Sequence, residues 1–229
     1  MSGEVSQPLR LILFDVDGTL VDSQGSIVAA MTDAFAAMGL AVPARADILS
    51  IVGLSLDHAM VRLAPDAPSH DGLVKAYKDA FMARRLQLGS VEGSPLYPGA
   101  RDCLERLAQV PENLLGVATG KSQRGLDAVL EAHGLEKMFV TRQVADHHPS
   151  KPHPSMVHTA MAEVGVNTEG TVLIGDTSFD MDMADAAGVA GIGVNWGYHK
   201  PAALHRAQVI VDSFDALAGA IDQVWTRAT

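Results

Sequence analysis

The chain has 229 residues, 48% hydrophobic and 19% charged, with a formal charge of −10 from 17 basic and 27 acidic side chains. With no basic run anywhere, that balance excludes a protein whose affinity rests on neutralising a phosphate backbone, so no nucleic-acid partner is expected. No apolar run nears the ~20 residues of a membrane helix, and the single cysteine, Cys103, excludes an intrachain disulfide.

The first stretch, MSGEVSQPLR, lacks the basic start and apolar centre of a signal peptide, and with the lone cysteine it points to a cytoplasmic protein without a membrane partner, monomeric or homodimeric. Next comes LRLILFDVDGTLVDS, Leu9 to Ser23, an apolar run that ends in two aspartates and a glycine. The run reads as a strand buried on both faces, and Asp15, Asp17 and Gly18 as either a solvated turn or a site at its carboxyl end. From Asp22 to Pro95 the pattern changes. Ile27, Met31, Phe35 and Met38 recur at helical spacing before Gly39, a second helical pattern runs from Leu73 to Leu86, and no strand is expected. The punctuated segment SPLYPGA marks the return.

Strand and helix then alternate. NLLGVATG, KMFVT, TVLIGD, AGIGVNW and QVIVDS read as further buried strands. Between and after them, helices are expected over Ala100–Ala108, Ser122–His133 before Gly134, Pro154–Val164 before Gly165, and Phe214–Trp225. The expected fold is α/β, a doubly wound parallel sheet with ligands at the carboxyl ends of its strands and a small inserted all-helical domain. The core would comprise residues 1–21 and 96–229, and the helical cap residues 22–95.

The polar residues at those strand ends suit one chemistry. An aspartate can attack phosphorus to give an acyl phosphate, and a second can protonate the departing alkoxide and then deprotonate water. Two carboxylates would repel a phosphate dianion, so a cation is required, and Mg²⁺ suits oxygen ligands. Asp176 and Asp180, in TVLIGDTSFDMDMADAAG, are the further carboxylates expected to serve it, although Asp180 could instead cap the helix that starts there. Thr119 and Gly120, in VATGKS, offer a hydroxyl and backbone amides to an anion, with Thr119 as an N-cap in the alternative. Lys151, in HHPSKPHP, offers a point charge. The neighbouring His147, His148 and His153 lack a cysteine companion and read as solvent-facing or substrate-contacting residues, not zinc ligands. The cap residues Arg45, His58, Arg62, Lys75, Lys78, Arg84 and Arg85 read mostly as solvated faces, one or two of them reaching substrate.

DVDGT at Asp15–Thr19, then Thr119, Lys151 and GDTSFD at Gly175–Asp180, resemble the four ordered motifs of the haloacid dehalogenase superfamily over almost the whole chain. The helical insertion is similar to the C1 cap of subfamily IA, which includes phosphoglycolate phosphatase and β-phosphoglucomutase. The resemblance implies Asp15 as nucleophile and Mg²⁺ ligand, and Asp17 as general acid/base that also lends its backbone carbonyl to the metal. It further implies Asp176 as a metal ligand, Asp180 as a ligand or an orienter of metal-bound waters, and Thr119 and Lys151 as holders of the phosphoryl oxygens. Asp17 favours phosphate esters over haloacids, and Leu56, where mutase-type caps carry a basic residue, favours transfer to water. Phosphoglycolate is the leading substrate by resemblance. Nucleotides, sugar phosphates, pyrophosphate, a mutase-type transfer, and a catalytically silent binding protein are the alternatives.

Overall fold

The computed structural model describes residues 8–228, the last two by backbone alone; residues 1–7, on which the expectation of no signal peptide mostly rests, and residue 229 lie outside the described part. Six strands, β1 (Arg10–Phe14), β2 (Asn113–Thr119), β3 (Thr141–Val144), β4 (Thr171–Gly175), β5 (Ala190–Val194) and β6 (Val209–Val211), pair in parallel in the order β3-β2-β1-β4-β5-β6. Leu11 to Phe14 of the central β1 are wholly buried, as a strand covered on both faces requires, and each such side chain contributes roughly 1.5–3 kcal/mol.

KMFVT departs from expectation. Only its last residue, Thr141, belongs to β3, while Phe139 is buried from the turn before it. Because β3 pairs only with β2, it is an edge strand and runs on through the polar sequence TRQV. There Gln143 donates to Thr141 Oγ1 and Glu163 Oε2 at 2.7 and 2.8 Å, so buried polarity replaces the apolar signal.

The chain leaves β1 and builds five helices, α1 (Gln24–Ala37), α2 (Arg45–Ser50), α3 (Leu56–Leu63), α4 (His70–Leu88) and α5 (Ser90–Gly93). Ile27, Met31 and Phe35 of α1 meet Met60 of α3 and Leu73 of α4 in an apolar cluster separate from those on the sheet. The exit and return lie side by side: Asp22 N–H donates to Pro95 O at 2.8 Å, and Tyr97 N–H to Leu20 O at 3.0 Å. Downstream helices cover the sheet. Residues of α6 (Ala100–Ala108), α7 (Gln123–Ala132) and α10 (Phe214–Ala228) pack against Ile12, Phe14 and Val117 on one face. Those of α8 (Ser155–Val164) and α9 (Ser178–Ala187) pack against Leu11, Leu13 and Leu173 on the other. Strand order reverses at β1, and the carboxyl ends of β1, β2 and β4 therefore surround one crevice.

Candidate active site

Asp15 follows β1 and is buried; its Oδ1 accepts from Lys151 Nζ at 2.7 Å, while its Oδ2, also buried, has no hydrogen-bond donor. Lys151 Nζ donates equally to Asp180 Oδ1, at 2.6 Å. Asp180 is not the N-cap of α9, which is Thr177, but it takes part in the cap from the third helical position. Its Oδ2 accepts from Thr177 N–H at 3.0 Å and Thr177 Oγ1 at 2.6 Å, closing a capping box at the start of α9 while Oδ1 stays on Lys151.

Asp176 completes the group. Thr19 Oγ1 donates to its Oδ1 at 3.0 Å and Tyr198 N–H to its Oδ2 at 2.8 Å. Gly18 has φ +87°, and a Cβ there would lie 2.2 Å from Asp176 Oδ2, so the loop after β1 can follow this path only without a side chain. Asp15, Asp176 and Asp180 each bring an oxygen within 4.8 Å of the other two, all buried, and could hold a metal ion. Three buried carboxylates lie together, only Asp15 and Asp180 of them on the Lys151 ammonium, and the donor set is all oxygen. A hard divalent cation fits that charge deficit and the orphaned Asp15 oxygen.

Burial, with Asp180 and Asp17 adding repulsion against the pull of Lys151, pushes the Asp15 carboxyl up to about 7. Burial likewise holds Asp176 well above the usual carboxylate range, with Asp15 and Asp180 contributing. For Lys151, burial works against the charged form, but the Asp15 and Asp180 carboxylates overcome it and keep the ammonium protonated.

Asp17 turns to a different set of partners, and its side chain is not in the acidic triad. Lys121 Nζ donates to both its oxygens at 2.7 and 2.8 Å, and Ser23 Oγ donates to Oδ1. Tyr198 OH accepts from Ser23 N–H at 3.0 Å and lies 3.0 Å from Ser23 Oγ. Because Ser23 gives its proton to Asp17, the tyrosine hydroxyl donates to Ser23, and the chain of bonds runs one way toward the carboxylate. Tyr198 also packs against the apolar cluster of α1, α3 and α4, so one residue touches Asp176, the Ser23 partner of Asp17 and the helical segment.

Thr119, at the end of β2, is buried and accepts from Lys121 N–H at 3.2 Å. The N-cap of α7 is Ser122, which accepts from Gly125 N–H at 3.2 Å, so Thr119 is free of that duty. A Cβ on Gly120 would meet Gly53 O at 2.6 Å and Leu54 O at 2.7 Å, backbone of the helical segment. The segment also reaches the core through Ser55 N–H to Ser150 Oγ at 2.8 Å, and through His199. His199 Nε2 donates to Ser50 O at 3.2 Å, while Nδ1 accepts from Ser178 N–H at 3.1 Å.

The histidines near Lys151 are only partly as expected. His147 and His153 are exposed. His148 is neither solvent-facing nor free for substrate: both ring nitrogens are engaged at 2.8 Å, Nδ1 with Ser155 Oγ and Nε2 with Gln143 Oε1, and burial lowers its basicity. Lys121, Ser23, Tyr198 and His199 were not legible as site residues. Lys121 lies in the quoted VATGKS and Ser23 ends the opening stretch, but no spacing links either to Asp17.

Residues 12–194 match the family model described as haloacid dehalogenase-like hydrolase. The chain belongs to that family. It is 36% identical over 214 residues, 92% of each chain, to the probable phosphatase IndB of Dickeya dadantii (strain 3937). It is 30% identical to the phosphoglycolate phosphatase of Salmonella paratyphi A (strain ATCC 9150 / SARB42), covering 94% of this chain and 93% of the relative. The crystal structure of a predicted phosphatase from Clostridium acetobutylicum superposes with a TM-score of 0.83 at 25% identity, over 95% of this chain and all of that one. This member of the family is therefore an enzyme that groups with phosphatases. No helix among the described residues is long and apolar enough to cross a membrane.

Proposed function

We propose that the enzyme is a Mg²⁺-dependent phosphatase that hydrolyses a small phosphate monoester through an aspartyl phosphate on Asp15, with phosphoglycolate as the first substrate to test. One observation carries the reading: a buried Asp15 with one oxygen on Lys151, the other without a donor, and Asp176 and Asp180 alongside. Held by Asp15, Asp176, Asp180 and the Asp17 backbone carbonyl, Mg²⁺ would supply positive charge against the carboxylates and the phosphoryl oxygens.

The residues then divide the work. Lys151, Thr119 and the amide of Gly120 hold the phosphoryl oxygens, and Lys151 keeps Asp15 oriented. Asp15 bonds to phosphorus as the ester oxygen departs with a proton from Asp17. Asp17, now ionised, takes a proton from the water that attacks the acyl phosphate, and inorganic phosphate leaves. The segment 22–95 acts as a cap whose movement admits substrate and excludes bulk water. The phosphoglycolate phosphatases among the relatives support the substrate choice. The enzyme is read as cytoplasmic, monomeric or dimeric, and acting on a small phosphorylated metabolite.

The test is Mg²⁺-dependent phosphate release across phosphoglycolate, nucleotides, sugar phosphates and pyrophosphate, with Asp15→Asn as control. Activity in the wild type that vanishes in the variant is expected. If the two proteins are equally silent across the panel, the chain is a binding protein with this fold and the reading is wrong.

A further inference from the structure

A cleft of about 430 Å³ opens onto Lys151, Pro152 and Phe179 on the core side. Its opposite wall is made by positions 54, 57, 58, 61 and 62, the spacing of one helical face that continues along α3. The other face of α3 is spoken for, since Ala59 and Met60 are buried in the cap cluster. The face over the cleft carries Leu54 and Val61, the latter 50% exposed, and the ionisable Asp57, His58 and Arg62. Such a face is not required by folding, and apolar side chains set among a few placed charges are the make-up of a ligand pocket.

Arg62 stands out among those charges. Its guanidinium lies 5.6 Å from the centroid of Phe179, and it has no hydrogen bond or ion pair with any described residue. Asp57 sits in the first turn of α3, where a carboxylate complements the helix dipole. Lys151 is occupied by Asp15 and Asp180. An unpaired, planar, permanently charged group at the wall opposite the phosphate lysine matches a second anion on the substrate, and guanidinium binds a carboxylate through two parallel hydrogen bonds.

We infer that Arg62 is the specificity-determining residue of this enzyme, reading a carboxylate on the alcohol part of the substrate, so that the preferred substrates are phosphorylated hydroxy acids. The inference rests on the phosphatase reading and adds to it. Phe179 holds the guanidinium plane in place, Leu54 and Val61 cover the carbon chain, and the size of the cleft admits acids longer than glycolate.

The test measures kcat/KM for 2-phosphoglycolate, 3-phosphooxypropanoate and 4-phosphooxybutanoate, each against the alkyl phosphate of equal length, in wild type, Arg62→Leu and Arg62→Lys. The wild type should prefer the acid by about ten- to a hundredfold at one or more lengths, the range of one charge-assisted contact. Arg62→Leu should bring that ratio toward one, mostly through KM, and Arg62→Lys should keep part of it. A wild type active on esters but indifferent to the carboxylate, or an Arg62→Leu variant that loses acid and alkyl esters in equal proportion, overturns the inference and leaves the phosphatase reading standing. A wild type that hydrolyses none of these esters overturns the inference, and one that is also silent on nucleotides, sugar phosphates and pyrophosphate overturns the phosphatase reading as well.

Discussion

Lys151 Nζ lies 2.6 Å from Asp180 Oδ1, with both side chains wholly buried, and the other oxygen of Asp180 closes the capping box of α9. The helix start and Lys151 are thus fixed to one another by a single carboxylate, and Lys151 in turn holds Asp15. Replacing Lys151 with Met keeps the length of the side chain but leaves Asp15 and Asp180 without their cation. Breaking a buried pair in this way costs about 3–5 kcal/mol. That loss should appear in urea titration of the metal-free variant at pH 7.5 and shrink at pH 5, where Asp15, raised to about 7, carries its own proton. An equal loss at both pH values would show that packing and not charge had been removed.

Asp17→Asn tests the division of labour between the two aspartates of the first motif. Asparagine cannot donate a proton to an alkoxide or take one from water, and such roles are worth about 10²–10⁴ in rate. With an alkyl phosphate, phosphoenzyme formation itself should fall by that order. With p-nitrophenyl phosphate, whose leaving group needs no proton, rapid quench should show a burst of about one p-nitrophenolate per chain followed by slow turnover, because the second step still lacks its base. A burst of equal size with both esters would remove Asp17 from the first step.

Legibility in the sequence followed how local each signal is. β1, β2, β4 and β5 were legible because strands buried on both faces must be continuously apolar, and Asp15 and Asp176 because each stands where such a run stops. β3 was misplaced because an edge strand fills its buried positions with Thr141 and Gln143, satisfied by Glu163 from α8, a partner twenty residues away. The short α2, α3 and α5 were missed, since helices of 6, 8 and 4 residues hold too few turns for a period to emerge. Lys121 and Ser23, the partners of Asp17, and Tyr198, which bonds Ser23, were missed for a different reason. Their chemistry is common on surfaces, and only the crossing of three separate strand ends brings them together.

Metal and pH should act on stability jointly. Asp15 is raised from 3.8 to about 7, so the folded chain holds a proton that the unfolded chain releases; the stability from this group is fully present below pH 3.8 and lost as pH rises through 7. Asp176 is raised in the same direction by its burial. A divalent cation binds the ionised carboxylates, and must displace protons from them at low pH. Thermal unfolding with and without Mg²⁺ should therefore show little metal effect at pH 5. Above pH 7.5, at a hundred times the dissociation constant, Tm should rise by roughly 5–10 °C. A metal-induced rise that is independent of pH would place the ion away from these two carboxylates.

Gly120→Ala probes the seating of the helical segment on the core. The added methyl would lie 2.6 Å from Gly53 O and 2.7 Å from Leu54 O, distances that a backbone cannot tolerate, and both carbonyls precede α3. The sheet itself has no stake in that contact, because Gly120 lies beyond the end of β2. The methyl should therefore push the 53–55 turn off the core and strain the Ser55 N–H to Ser150 Oγ bond at 2.8 Å, while the two apolar clusters on the sheet stay as they are. Far-UV circular dichroism should be unchanged, kcat/KM should fall at least about tenfold as positioning is lost, and limited proteolysis should cut faster within residues 22–95. Wild-type resistance to proteolysis together with wild-type kcat/KM would mean that the helical segment seats without the close approach at Gly120, and that the backbone of the β2 loop, not its lack of a side chain, is what the site requires.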